Sequence, residues 1–149
     1  MIIPTSSISK PMKPECRPFV LGDTDAVVAL LREVLPDDQP HNDPKAVLVL
    51  KTRTDNLSFV SIIDGTVCGF VMAGFDGHRG WLYQLAVDPD KRRSGIATGL
   101  VKYATERLRK LGCEKLNLQV REGNAPAESF YESLGFTKEP RTSMGKLLL

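Results

Sequence analysis

Lys91, Arg92 and Arg93 stand in a row, followed by Ser94, Gly95 and an apolar pattern of helical period. Cations at that place run against local electrostatics. A helix N-terminus carries positive partial charge, and an exposed cation there is unfavourable by roughly 0.3–1 kcal/mol. An anion in the same place reverses the sign. The free N–H groups of the first turn point at it, glycine lets the backbone come close, and the arginines flank it. The residues alone admit a second reading, a solvated basic loop before an ordinary helix capped by Ser94. Neither of two common phosphate signatures is present: no Gly-Lys-Ser/Thr follows Gly95, and Gly-x-Gly-x-x-Gly is absent.

Other reactive side chains are sparse. His41 and His78 are the only histidines, and Cys16, Cys68 and Cys113 are widely spaced among apolar neighbours. This argues against a zinc site and against a Cys/His nucleophile, and for reduced, mostly buried thiols. Asp76, His78, Glu122, Asn124 and Tyr131 lie near predicted element ends, where side chains reach a site most easily.

The elements that must position these residues follow from periodicity. Leu85-Ala86-Val87 is a short apolar run stopped by Asp88-Pro89, which favours a turn. A helix then carries Ile96, Leu100, Val101, Ala104, Leu108 and Leu111 on one face, and Gly112 ends it. Upstream, Glu15 to Leu21 reads as a strand, confined by Pro18 to an edge or a strand start. A helix follows from Asp23 or Thr24 to Val34, and Asp37 to Asp43 is a polar loop. A second helix runs from Pro44 to about Thr54. Leu57–Ile63, Thr66–Phe75 and Trp81–Val87 form a meander, its first hairpin marked by Asp64-Gly65, with Gly69 and Gly74 marking bulges or close approach. Lys115 to Val120 is a strand and Asn124 caps a last helix with Ala127, Phe130, Tyr131 and Leu134 on one face. Phe136 begins a return and Met144 to Leu149 is a final strand. The order predicts an α/β (α+β) fold with a mixed sheet of about 6–7 strands flanked by about four helices.

The whole chain sets broad limits. Its 149 residues predict one domain, and a chain of that length buries about 68–70% of its unfolded surface. Residues 1–14 hold three prolines, three serines and a threonine and read as a flexible tail, leaving 15–149 as the working domain. The net charge of +2 makes no demand for nucleic acid or an anionic membrane. No apolar stretch of about 18 residues exists, and the start is too short for a secretory leader, so a cytoplasmic protein is expected.

With these elements in place, two segments carry a family resemblance. Arg92-Arg93-Ser94-Gly95-Ile96-Ala97 resembles the Arg/Gln-x-x-Gly-x-Gly/Ala motif of the GNAT family of N-acetyltransferases, with Leu85-Ala86-Val87-Asp88-Pro89 upstream as in that family. Asn124 to Phe136 resembles its second signature. The pair at this separation, behind a meander, is specific, and the resemblance runs from about Glu15 to the end. Residues 74–80 further resemble a bacterial subgroup, the YpeA type, close to the ribosomal-protein alanine acetyltransferases.

The resemblance implies acetyl-coenzyme A as donor, a primary amine as acceptor and no metal. It implies that Arg92, Arg93, Ser94, Gly95, Ile96, Ala97 and Thr98 cradle the pyrophosphate. Leu85, Ala86 and Val87 pair with the pantetheine arm, and Asn124 hydrogen-bonds it. Tyr131 matches the general acid that protonates the departing thiolate. One position departs from the pattern. Where ribosomal-protein alanine acetyltransferases carry a glutamate this chain has Gln119, which takes no proton; Glu122, His78 and Asp76 are the other candidates for a base. Acceptors from small amines to protein N-termini fit, in a monomer or homodimer. A rival class is a coenzyme A sensor without turnover. A nucleic-acid role for Lys91–Arg93 finds too few basic and aromatic neighbours.

Overall fold

A computed structural model of the chain describes residues 13–36 and 39–148. The expected N-terminal tail therefore lies almost wholly outside the described residues, as do Asp37 and Asp38 of the expected loop. The chain divides into two compact units, Met1–Gln119 and Val120–Leu149.

The first unit is built on a five-stranded sheet: β1 (Glu15–Pro18), β2 (Ser58–Ile63), β3 (Thr66–Phe75), β4 (Gly80–Val87) and β5 (Leu116–Leu118), in that spatial order. Strands β1 to β4 pair antiparallel and β4–β5 parallel, so the sheet is mixed as predicted. Asp64 and Gly65, with φ of 50° and 74°, make the expected β2–β3 hairpin, whose two positive φ values match the twist of the strands. Pro18 sits on an edge strand, where its missing N–H leaves no ladder bond unmade. The first strand stops there because the chain turns into a 3-10 turn at Leu21–Asp23.

Helices α1 (Thr24–Val34) and α2 (Pro44–Thr54) cover one face of the sheet. Val27, Val28, Leu30, Leu31 and Leu48 pack there on Val60, Phe70, Met72 and Ala86. Asp43 caps α2 through the N–H of Ala46, with Pro44 in its first turn. Helix α3 (Ile96–Lys110) covers the other face and joins parallel neighbours β4 and β5, as a crossover must. Ile96, Leu100, Val101, Ala104 and Leu108 are its buried stripe. Leu111, expected on that stripe, is exposed because the helix ends at Lys110 and the chain turns away at Gly112, φ 94°. Gly69 is the reason α3 lies so close: a Cβ there would stand 2.7 Å from Ile96 Cγ2 and 2.9 Å from Leu100 Cδ1.

The second unit holds α4 (Ala125–Ser133), capped by Asn124 and ended by Gly135 at φ 94°. Ala127, Phe130, Tyr131 and Leu134 are half-buried. The expected strand at Met144–Leu149 does not form among the described residues, nor does a return strand after Phe136, so the sheet has five strands rather than 6–7. Residues 137–143 are polar and include Pro140, and Met144-Gly145-Lys146-Leu147-Leu148 lacks the alternation that gives a strand one buried face. Met144 and Leu148 are 92% and 90% exposed.

Candidate active site

The end of β4 and the start of α3 make one continuous device. Ladder pairing between β4 and β5 ends at Leu82 and Leu118, while β4 continues on β3 through Val71–Leu85, Phe70–Ala86 and Gly69–Val87. From Leu85 to Val87 the β5 side of β4 is therefore an open edge, with alternating N–H and C=O groups unpaired by any described strand. An extended amide chain adds to such an edge.

Asp88 closes the strand. Its N–H donates to the Cys68 carbonyl at 2.9 Å, and its carboxylate accepts the Asp90 N–H at 2.9 Å. A 3-10 turn at Pro89–Lys91 follows. Arg93 then takes φ 67°, in the left-handed region where a side chain is strained, and Gly95 takes φ 76°. Left-handed residues at such a turn direct backbone N–H groups into one concavity, which binds anions.

Gly95, not Ser94, is the N-cap of α3, and no side chain caps the helix. The reading of Ser94 as a cap is thereby corrected: a left-handed Gly95 stands between Ser94 and the helix, so its hydroxyl does not reach the N–H groups of the first turn. Those N–H groups, on Ile96, Ala97 and Thr98, are left for a ligand. A Cβ built on Gly95 would meet nothing within 4 Å, so the concavity is open. Lys91, Arg92 and Arg93 are exposed and make no ion pair among the described residues. A pyrophosphate fits this donor set on both counts, backbone N–H groups and unpaired cations.

The structure thus brings Leu85, Ala86, Val87 and Arg92 to Thr98 together in the first unit. Asn124 and Tyr131 sit together on α4 in the second. The Asn124 side-chain oxygen accepts from the Ala127 N–H at 3.2 Å, which leaves its NH₂ free to donate elsewhere. Tyr131 stacks edge-on with Phe130 and Phe136, ring centroids 5.1 and 5.6 Å apart, and burial pushes its phenol above the usual tyrosine pKa.

The candidate bases fare differently. The Asp76 carboxylate accepts the N–H groups of Arg79 and His78, both at 2.7 Å, and these bonds hold it below the usual carboxylate range. That favours a closed turn over proton uptake. Gln119 and Glu122 are exposed. Burial pushes the Cys16 and Cys68 thiols up, away from the reactive thiolate. Among the described residues no three His, Cys, Asp or Glu side chains converge to hold a metal, and no helix is long and apolar enough to cross a membrane.

Sequence reasoning missed Tyr83 and Gln84. The β3–β4 register slips between Met72 and Ala73, leaving Tyr83 as the extra residue of a bulge. No glycine or proline marks that bulge in Gly80–Val87 beyond the first residue, so its phase break is invisible before the register is known.

Known proteins share this arrangement. The model of the acetyltransferase (GNAT) family matches residues 24–136. An acetyltransferase of Yersinia pestis (strain Pestoides F) is 38% identical over 136 residues, covering 91% of this chain and 96% of the relative. One from Pectobacterium atrosepticum is 37% identical over 138 residues, covering 91% and 96%. Among solved structures, an aminoglycoside N-acetyltransferase in complex with CoA superposes with a TM-score of 0.80 at 19% identity, covering 99% of this chain and all of that one. The ribosomal-protein alanine N-acetyltransferase from Escherichia coli superposes with a TM-score of 0.75 at 25% identity, covering 85% and 79%. The open strand edge, the cationic turn and the family match agree: the chain belongs to the acetyltransferase (GNAT) family and is an acetyl-coenzyme A-dependent acyltransferase.

Proposed function

We propose that residues 15–149 act as one acetyltransferase domain that moves an acetyl group to a primary amine by direct attack. The observation that carries this is the strained cationic turn Arg92–Gly95, set between an open strand edge and an uncapped helix. When bound, acetyl-coenzyme A supplies the acetyl thioester. The N–H groups from Arg93 to Thr98 hold its pyrophosphate, with Arg92 and Arg93 alongside. The backbone of Leu85 to Val87 pairs with the amides of its arm, and a backbone N–H there polarises the thioester carbonyl. The Asn124 NH₂ donates to the arm while its oxygen caps α4. Tyr131, matched by resemblance to the family's general acid, keeps its proton because it is buried, and gives it to the departing thiolate.

The amine has to arrive unprotonated. Gln119 takes no proton and Asp76 is committed to its turn, which favours acceptors of low pKa. A free α-amine, near 7.7–8.0, meets that requirement far better than a lysine near 10.4. The Escherichia coli alanine acetyltransferase and the aminoglycoside enzyme, by their names, span protein and small-molecule amines, and both classes stay open for this chain. With the Cys16 and Cys68 thiols pushed up by burial, a covalent acyl-enzyme has no prepared nucleophile there.

Calorimetry with acetyl-coenzyme A tests the donor site, and a thiol-release assay over peptides, polyamines and aminoglycosides tests the transfer. Absence of binding overturns the reading. Binding with no thiol release on any amine favours the alternative that Gln119 keeps open, a coenzyme A-binding module without turnover.

A further inference from the structure

The bulge on β4 does something that the acetyl-donor site does not require. In a regular strand, neighbours point to opposite faces. Here the extra residue breaks that rule, and Tyr83 and Gln84 turn to the same face. Gln84 stands opposite Met72, which belongs to the core beneath α1 and α2. Tyr83 reaches that face too. A Cβ on Gly74, two residues past Met72 on β3, would lie 2.9 Å from Tyr83 Cε2 and 3.1 Å from its hydroxyl. The Lys51 ammonium of α2 lies 6.0 Å from the Tyr83 ring centroid.

The two side chains are in unusual states. Tyr83 is 57% exposed for a strand aromatic. The Gln84 side-chain oxygen is buried and has no hydrogen-bond partner. Across the same register row, on the far side of Met72, the Ser58 hydroxyl is also buried and unpaired. Buried polar atoms are nearly always bonded, so each such orphan asks for a missing partner. An amide oxygen only accepts; its partner must therefore be a donor.

The surroundings say which kind. Asp76 and Asp55 lie near enough to disfavour ionisation of the Tyr83 phenol, and the nearest cation, Lys51, is held by Asp55 at 2.6 Å. The corner offers an acceptor oxygen, an aromatic face and net negative surroundings. It also sits immediately after Leu82, the last β4 residue paired with β5, and immediately before the open edge at Leu85. Bulges beside a reaction centre commonly re-aim a side chain into it.

We propose that Tyr83 and Gln84 are the acceptor-binding residues of the transfer reaction, an inference that rests on the N-acetyltransferase reading. The Gln84 oxygen takes an N–H of the acceptor and the Tyr83 ring lies against its cationic part. The acceptor class is then an amine carrying a second N–H donor, amide or ammonium, with no carboxylate beside it. Peptides with a free N-terminus, polyamines and amino sugars qualify; free α-amino acids do not, since their carboxylate would face the Gln84 oxygen and two aspartates.

The test uses the full chain saturated with coenzyme A and three probes: spermidine, alanyl-alanine amide and free alanine. In an NMR titration, spermidine or alanyl-alanine amide should shift the Gln84 side-chain amide resonances, and alanine should not. Shifts with neither of the first two overturn the inference, whatever the enzyme's turnover. In kinetics, Gln84→Leu should raise KM for the acetylated probe about tenfold and leave KM for acetyl-coenzyme A unchanged. Gln84→Glu, which keeps an acceptor oxygen, should restore most of it. An unchanged amine KM in Gln84→Leu overturns the inference while leaving the transferase reading intact. Gln84→Leu should also melt no lower than wild type, because the unpaired oxygen stabilises nothing; a lowered Tm with unchanged amine KM assigns Gln84 to structure alone.

Discussion

Arg93 holds its backbone at φ 67°, where a side chain is strained by roughly 1–2 kcal/mol. Such strain persists only where surroundings impose it, and it gathers at ligand clamps. Arg93→Gly separates shape from charge. Without ligand the variant should unfold at the same or slightly higher urea, since the conformation suits glycine. Its coenzyme A affinity should fall about tenfold, the scale of one charge-assisted hydrogen bond, by calorimetry. Full affinity in the variant would take the guanidinium out of the cradle. Tyr131 makes the complementary case. Tyr131→Phe should lower turnover by about a hundredfold or more while coenzyme A binding holds, because a general acid acts on the leaving group and not on affinity. The phenol loses its proton only as pH rises, and burial moves that loss upward. The kcat profile of the wild type should therefore show no alkaline fall from Tyr131 below about pH 10.

At the scale of elements, α3 presents its uncapped N-terminus because Gly69 lets the helix settle on β3. Gly69→Val would drive a side chain into Ile96 and Leu100, whose atoms stand 2.7 and 2.9 Å from the Cβ position. The expected loss is about 1–3 kcal/mol in urea unfolding, with weakened coenzyme A binding as the first turn shifts. Gly99→Ala, on the same helix with nothing within 4 Å of its Cβ, should instead gain about 0.5–1 kcal/mol. The elements around this contact were legible in the sequence because each had local punctuation. Asp64-Gly65 forced a hairpin, Asp88-Pro89 stopped a strand, and Gly112 and Gly135 ended helices at positive φ. What was illegible depends on partners. The β4 bulge exists only relative to the β3 register, so Tyr83 and Gln84 gave no sign of sharing a face. The final strand failed because Met144–Leu148 had β-formers but no described strand to ladder with. Ser94 looked like a cap until the left-handed Gly95 took that place.

For the whole molecule, one ion pair ties the sheet edge to the helical layer. Arg17 on β1 reaches Asp23, just before α1, through bonds of 2.7 and 2.9 Å, and the Val20 N–H adds a third at 3.0 Å. The Asp23 side chain is only 9% exposed, so its charge is shielded from water and depends on these donors. The Arg17 guanidinium holds the Asp23 carboxyl below the usual range, with the Val20 N–H adding to it. A carboxyl whose folded pKa is depressed binds its proton more tightly in the unfolded chain. Its contribution is therefore complete above the unfolded value, near 3.9, and is lost as pH falls through the lower folded one. Arg17→Leu removes the main donor and strands the carboxylate, so urea unfolding at pH 7 should show a loss of about 2 kcal/mol. The same comparison near pH 2 should show a smaller gap, because Asp23 takes up a proton in both chains. A gap of equal size at both pH values would mean that Arg17 acts through the packing of its stem on β1 rather than through its charge.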